Sequence, residues 1–125
     1  MKKIISTSKA PSAIGPYSQA VEANGMLFIS GQIPIVPDTG KIIEGSIKEQ
    51  THQVFRNIEA ILNEAGYSFK DVVKSTCLLS DIADFKAMNE VYSGYFPDNK
   101  PARAAFAVKS LPMGALIEIE SIAIK

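Results

Sequence analysis

The sequence predicts an α+β protein, a single mixed sheet with two helices packed on one face. Three observations predict it. Runs rich in β-branched and aliphatic residues alternate with helical patterns in the order strands, helix, strand, helix, strands. Two helices can cover only one side of such a sheet. Several strands nevertheless carry apolar side chains on both sides, Val72 beside Val73 and Leu116 beside Ile117. The open face is therefore expected to pack against other copies of the chain, making a homo-oligomer.

The elements follow in order. Between Ser18 and Ser30, two β-prone runs flank Asn24-Gly25, a dipeptide that accepts positive φ at both centres of a type I′ turn, so a hairpin is expected. Pro34, Pro37 and Asp38-Thr39-Gly40 break the pattern into a loop, with a short strand at Ile42-Ile43. Ser46 with Glu49 three residues on forms a capping box. Ile47, Val54, Ile58, Ile61, Leu62 and Ala65 then recur at helical spacing, and Gly66 supplies the left-handed stop. Val72 to Leu79 reads as a strand apolar on both faces. Asp81 is expected to cap a second helix carrying Phe85, Met88, Tyr92, Tyr95 and Phe96 along one side and closed by Pro97. An extended run from Ala102 to Val108, a turn at Leu111-Pro112-Met113-Gly114 and a final strand from Ala115 to Ile124 complete the chain.

Composition narrows the function. A chain of 125 residues fits one domain, 1–125, and 46 % hydrophobic against 21 % charged residues is the balance of a folded globular protein. Thirteen Lys plus Arg are matched by thirteen Asp plus Glu. No broad positive field is therefore available for phosphate backbones or anionic lipid, and neither nucleic acid nor membrane is an expected partner. No apolar stretch approaches the roughly 20 residues of a membrane span, and Ile4-Ile5 is too short for a signal peptide. One cysteine, Cys77, and one histidine, His52, make neither an internal disulfide nor the usual zinc set. A reduced, metal-free cytoplasmic protein is expected.

Three groups of residues could carry chemistry. Glu118 and Glu120, two apart in a strand, share a face otherwise lined by apolar residues. A carboxylate so placed is costly unless paired, and has a raised pKa if left neutral. Solvation of that face, or pairing with Lys or Arg across a subunit boundary, is the plainer account of the pattern taken alone. Arg103 opens a run of alanines, where its planar donors have room to take a substrate carboxylate in a bidentate pair. An inter-strand salt bridge to Glu118 or Glu120 would account for it equally. Gly15-Pro16-Tyr17-Ser18 and Ser30-Gly31-Gln32 bracket the hairpin and could converge on one cleft, though turn chemistry alone would explain them. His52 reads as a helix-surface residue and Cys77 as a buried, inert thiol, so a serine or cysteine nucleophile has little support. No P-loop, dinucleotide fingerprint or metalloprotease motif occurs, and no cofactor is expected. Water and side chains must carry any reaction.

Three stretches together resemble the RidA (YjgF) family: Ala13-Ile14-Gly15-Pro16-Tyr17-Ser18-Gln19, Phe28-Ile29-Ser30-Gly31-Gln32-Ile33-Pro34, and Pro101-Ala102-Arg103 through Leu111-Pro112-Met113-Gly114 to Glu120. Asn89 and the Val91-Tyr92 region fit as well. The resemblance implies a chorismate-mutase-like homotrimer with active sites in clefts between subunits. It implies hydrolysis of 2-aminoacrylate, 2-aminocrotonate and their imine tautomers to 2-keto acids and ammonia. It also implies that Arg103 clamps the substrate carboxylate and Glu118 holds the attacking water. Ser30 and the Gly31 backbone would bond near the substrate, Tyr17 would wall the pocket and Asn89 would shape it from the helix. Many bacterial members carry cysteine where this chain has Ala105, whereas those resembling the animal branch carry alanine; thiol chemistry is not expected at that wall of the pocket. Other readings of the same cleft are a small-carboxylate sensing or regulatory module, a ribonuclease or translation inhibitor, and a chaperone-like binding protein.

Overall fold

Asn24 and Gly25 both take positive φ, 52° and 73°, and this turn joins the first long pair of strands. In the computed structural model, which describes residues 1–125, the elements run β1 (Lys3–Ile5), β2 (Ala20–Ala23), β3 (Met26–Gln32), β4 (Ile35–Val36), β5 (Lys41–Ile42), α1 (Ile47–Ala65), β6 (Val72–Leu79), α2 (Phe85–Tyr95), β7 (Ala102–Ala107) and β8 (Ile117–Ile124). Six strands form one sheet in the order β1-β2-β3-β8-β6-β7, while β4 and β5 pair separately beside it. Only the β6–β7 pair is parallel, so the sheet is mixed, as expected. The crossovers β3–α1–β6 and β6–α2–β7 step across the sheet in the same direction. With the right-handed connection such units take, both helices fall on one face.

Helix α1 starts and stops where the local chemistry requires. Glu49 Oε1 accepts from the Ser46 backbone N–H at 2.6 Å and from its hydroxyl at 2.7 Å, and Gly66 ends the helix at φ 81°. Its buried stripe of Val54, Phe55, Ile58, Ile61 and Leu62 packs on Leu27, Ile29, Ile117 and Ile119 of the sheet. Between α1 and α2, Phe55 lies at the centre of an aromatic cluster, stacked on Tyr95 with centroids 4.3 Å apart and meeting Phe69, Tyr92 and Phe96 edge-on. Burying polar side chains among these is tolerable because they are bonded. Asn57 Nδ2 donates to the Ile33 and Ile35 carbonyls, and Gln50 Oε1 accepts from the Leu116 N–H at 2.8 Å.

Several boundaries differ from the sequence reading: β5 is Lys41–Ile42 and not Ile42-Ile43, β7 stops at Ala107 and not Val108, and α2 and β8 both begin later than expected. Asp81 does not cap α2. Its carboxylate accepts from Ala83 N at 2.9 Å and closes a tighter 3₁₀ turn, Ile82–Asp84, and the wider helix begins only at Phe85. Ala115 and Leu116 do not belong to β8 either. Met113 and Gly114 turn with φ 58° and 68°, and the Leu116 N–H goes to α1, so the chain joins the sheet at Ile117.

Along β8 the pleat sends Ile117, Ile119, Ser121 and Ala123 into the core and Glu118, Glu120, Ile122 and Ile124 to the opposite face. That second face has no helix over it. Phe28, Phe106 and Ile124 stand there 42 %, 47 % and 46 % exposed. No helix is long and apolar enough to cross a membrane.

Candidate active site

The pairing registers decide where the charged residues go. Arg103 lies opposite Ser75 and Ala105 opposite Cys77, while Leu78 lies opposite Glu118 and Thr76 opposite Glu120. Ser75 and Cys77 point to the helix side and Leu78 and Thr76 to the open side, because strand side chains alternate. Arg103 and Ala105 therefore share the helix side, and Glu118 and Glu120 share the open side. Within one chain the inter-strand salt bridge weighed from the sequence does not form.

On the helix side, Arg103 is held by α2. Its Nη1 donates to Asn89 Oδ1 at 2.7 Å, and its guanidinium carbon lies 4.7 Å from the Tyr92 ring centroid and 5.5 Å from that of Phe85. A cleft of about 380 Å³ opens beside them, lined also by Ser93, Lys100 and Pro101. Behind it, Cys77 is fully buried; burial pushes its thiol up to about 11, against the pull of Arg103, which leaves it protonated and inert as expected. Burial likewise raises the Tyr92 hydroxyl, which is enclosed with no hydrogen-bond partner.

On the open side, a larger cleft of about 640 Å³ gathers Tyr17, Ser30, Gly31 and Glu118, together with Ile14 and Met113. Gln19 positions the loop that brings Tyr17 here: its amide bonds Thr7 N at 2.7 Å and the carbonyls of Thr7 and Pro11 at 3.0 and 2.8 Å. The β3–β8 pairing shifts register between Ile29 and Gln32, which sets Gly31 against Glu118. A Cβ on Gly31 would overlap the Glu118 carboxylate, so glycine is required for the carboxylate to lie where it does. Ser30 Oγ donates to the Ser18 carbonyl at 2.6 Å, leaving its lone pairs to accept. Partial burial raises the Glu118 pKa, and the neighbouring Glu120 raises it further.

The residues singled out from the sequence thus assemble into two groups. Tyr17, Ser30, Gly31 and Glu118 come together in one cleft; Asn89 and Arg103 meet on the other side of the sheet, with Ala105 on the same face of β7 but outside the lining of that cleft. His52 stays on the surface, with Nδ1 2.9 Å from the Tyr95 hydroxyl, and lines neither cleft. Phe85 was not singled out for the site, nor was Tyr92, yet Phe85, Asn89 and Tyr92 fall at four- and three-residue spacing on one stripe of α2. That spacing was visible, and an asparagine set in an aromatic stripe was its signal. A further hollow of about 430 Å³, walled by Phe69, Tyr95 and Phe96, contains none of these residues.

Fold and clefts together define a class: a small α+β protein, one sheet backed by two helices, with a basic cleft and an acidic cleft on opposite sides of the sheet. Comparison with known proteins gives the family. The profile of the Endoribonuclease L-PSP family matches residues 7–125, and the chain belongs to that family, the RidA (YjgF) family. A RutC family protein of Pyrococcus horikoshii is 58 % identical over 125 residues, 100 % of this chain and 99 % of that one. The 2-iminobutanoate/2-iminopropanoate deaminase of Homo sapiens is 50 % identical over 125 residues, 100 % of this chain and 91 % of that one. A solved structure of the Rid protein family from Yersinia pestis superposes with a TM-score of 0.97 at 48 % identity, covering 100 % of both chains.

Proposed function

We propose that this protein hydrolyses 2-enamine and 2-imine intermediates bearing a carboxylate, such as 2-aminoacrylate, 2-aminocrotonate and their imine tautomers, to 2-keto acids and ammonia. The reaction takes place between copies of the chain, in a homotrimer. One observation carries this: a cation without an anionic partner and a carboxylate of raised pKa lie on opposite faces of one sheet, so they can share a substrate only when different protomers supply them. The exposed aromatic and aliphatic residues of the uncovered face supply surface for that assembly. The human relative, named for this activity, supports the substrate class.

Arg103 clamps the substrate carboxylate through paired N–H donors and fixes the imine carbon. Glu118, ionised, accepts a proton from a water as the water oxygen bonds that carbon and the C=N electron pair moves to nitrogen. Glu118 returns that proton to nitrogen, giving the carbinolamine; it then takes the hydroxyl proton and passes it to the same nitrogen as the C–N bond breaks and the carbonyl forms. Ammonia leaves. A raised pKa suits a carboxylate that must take a proton and give it back. Tyr17 walls the pocket, Ser30 and the Gly31 backbone bond near the substrate, and Ala105 sets the pocket's size near the clamp.

The test couples the protein to a threonine dehydratase in the presence of semicarbazide, which traps free imine. The expected outcome is diversion from trapped product to keto acid, abolished by Arg103→Ala and by Glu118→Ala. Mixed assemblies of these two inactive variants should recover about a quarter of native activity, the chance that random mixing seats an intact Arg103 against an intact Glu118. Failure of the native protein to divert imine would favour a carboxylate-binding module without turnover. No recovery on mixing would place both groups in one chain's site. The family description also names endoribonucleases, but zero net charge and only two arginines, Arg56 and Arg103, give RNA little to bind.

A further inference from the structure

We propose that Tyr92, with Phe85 beside it, is a positioning residue for Arg103: the rings hold the guanidinium ready for a carboxylate without neutralising it. The identity of the anion rests on the deaminase reading, whereas the holding of the cation rests on geometry alone. Arg103 stands on the edge strand β7 with its side chain exposed, so the strand itself does not fix a long, flexible group. Three groups on α2 do. Asn89 accepts one N–H at 2.7 Å, and the two ring centroids lie 4.7 and 5.5 Å from the guanidinium carbon.

None of the three carries a charge. A carboxylate would fix the arginine as well, but it would occupy the donors and compete with the incoming anion. The ion pair in this chain, Lys48 with Glu90, does not involve Arg103. An aromatic face attracts a cation through its quadrupole and leaves hydrogen-bond donors unused. Most of the five guanidinium donors thus remain available to bind a carboxylate at the group's edge. The ring of Tyr92, and not its hydroxyl, is the working part, since that hydroxyl is buried without a hydrogen-bond partner.

The experiment measures binding of 2-oxobutanoate, a stable keto acid, to the full chain by NMR titration, with imine turnover followed in parallel. Tyr92→Phe is expected to bind as the native protein does. Tyr92→Leu and Phe85→Leu are expected to bind about three- to tenfold more weakly and to raise KM by the same factor, with kcat held within about twofold. Phe85 is only half-buried, so Phe85→Leu decides the matter if Tyr92→Leu does not fold. Native-like binding by the folded leucine variants overturns the proposal. So does equal weakening in Tyr92→Phe, or a native protein that does not bind the acid. The expected binding pattern without turnover by native protein upholds the positioning role and overturns the deaminase reading instead.

Discussion

Glu118 is half-buried two residues from Glu120, and burial followed by that neighbour lifts its pKa above the ordinary 4.5. Its proton is bound more tightly in the folded chain than in the unfolded one, so the folded state carries more protons between the two pKa values and stability falls as pH rises through that window. The carboxylate therefore costs stability at neutral pH. Glu118→Gln is expected to raise the thermal midpoint at neutral pH but not below pH 4.5, while lowering kcat by about 10²- to 10⁴-fold. The acid limb of the native rate profile should lie above 4.5 and move down in Glu120→Gln, which removes the second cause of the shift. Gly31→Ala, whose Cβ would overlap this carboxylate, should cost kcat about tenfold or more with KM nearly unchanged, and a crystal structure should show Glu118 turned aside. That Glu118 and Glu120 share a face was legible in the sequence, because parity within a strand follows from spacing. Which face Arg103 takes relative to them was not. Parity between strands depends on register, and no local pattern near Arg103 encodes its pairing with Ser75.

Local chemistry also decided which elements could be read in advance. The hairpin at Asn24-Gly25 and the helix from Ser46 to Gly66 were legible because a single dipeptide, a capping pair and one glycine specify them. Met113 at φ 58° was not, since methionine has no preference for that region and the turn is imposed by the chain's route back into the sheet. The register shifts near Gly31 and Val73 were hidden for the same reason: a bulge is a property of two strands together. The aromatic cluster joining α1 to α2 is where stability and function meet, because Tyr92 belongs to it and also faces Arg103. Phe55→Ala, which empties the centre of that cluster, is expected to cost about 3–5 kcal/mol in chemical denaturation.

For the whole molecule, the two faces of the sheet divide the work between cohesion and assembly. The helix side is closed by α1 and α2, and the other side presents Phe28, Phe106 and Ile124 to whatever covers it. Phe28→Glu places a charge on that surface without touching Arg103 or Glu118. It should yield a smaller species in sedimentation velocity and lose imine hydrolysis; a monomer that retained full activity would contradict a shared site. The position of β8 carries a separate consequence. This strand sits between β3 and β6, making antiparallel pairs with both, although it follows every other strand in the chain. While a ribosome is still synthesising residues 117–124, the earlier strands have only an empty slot between them. β3 can pair with β2 and β6 with β7, but each still exposes its other edge unpaired. The growing polypeptide must wait for its final stretch before the two halves can be zipped into one layer, and the acid that readies water for attack arrives on that same piece.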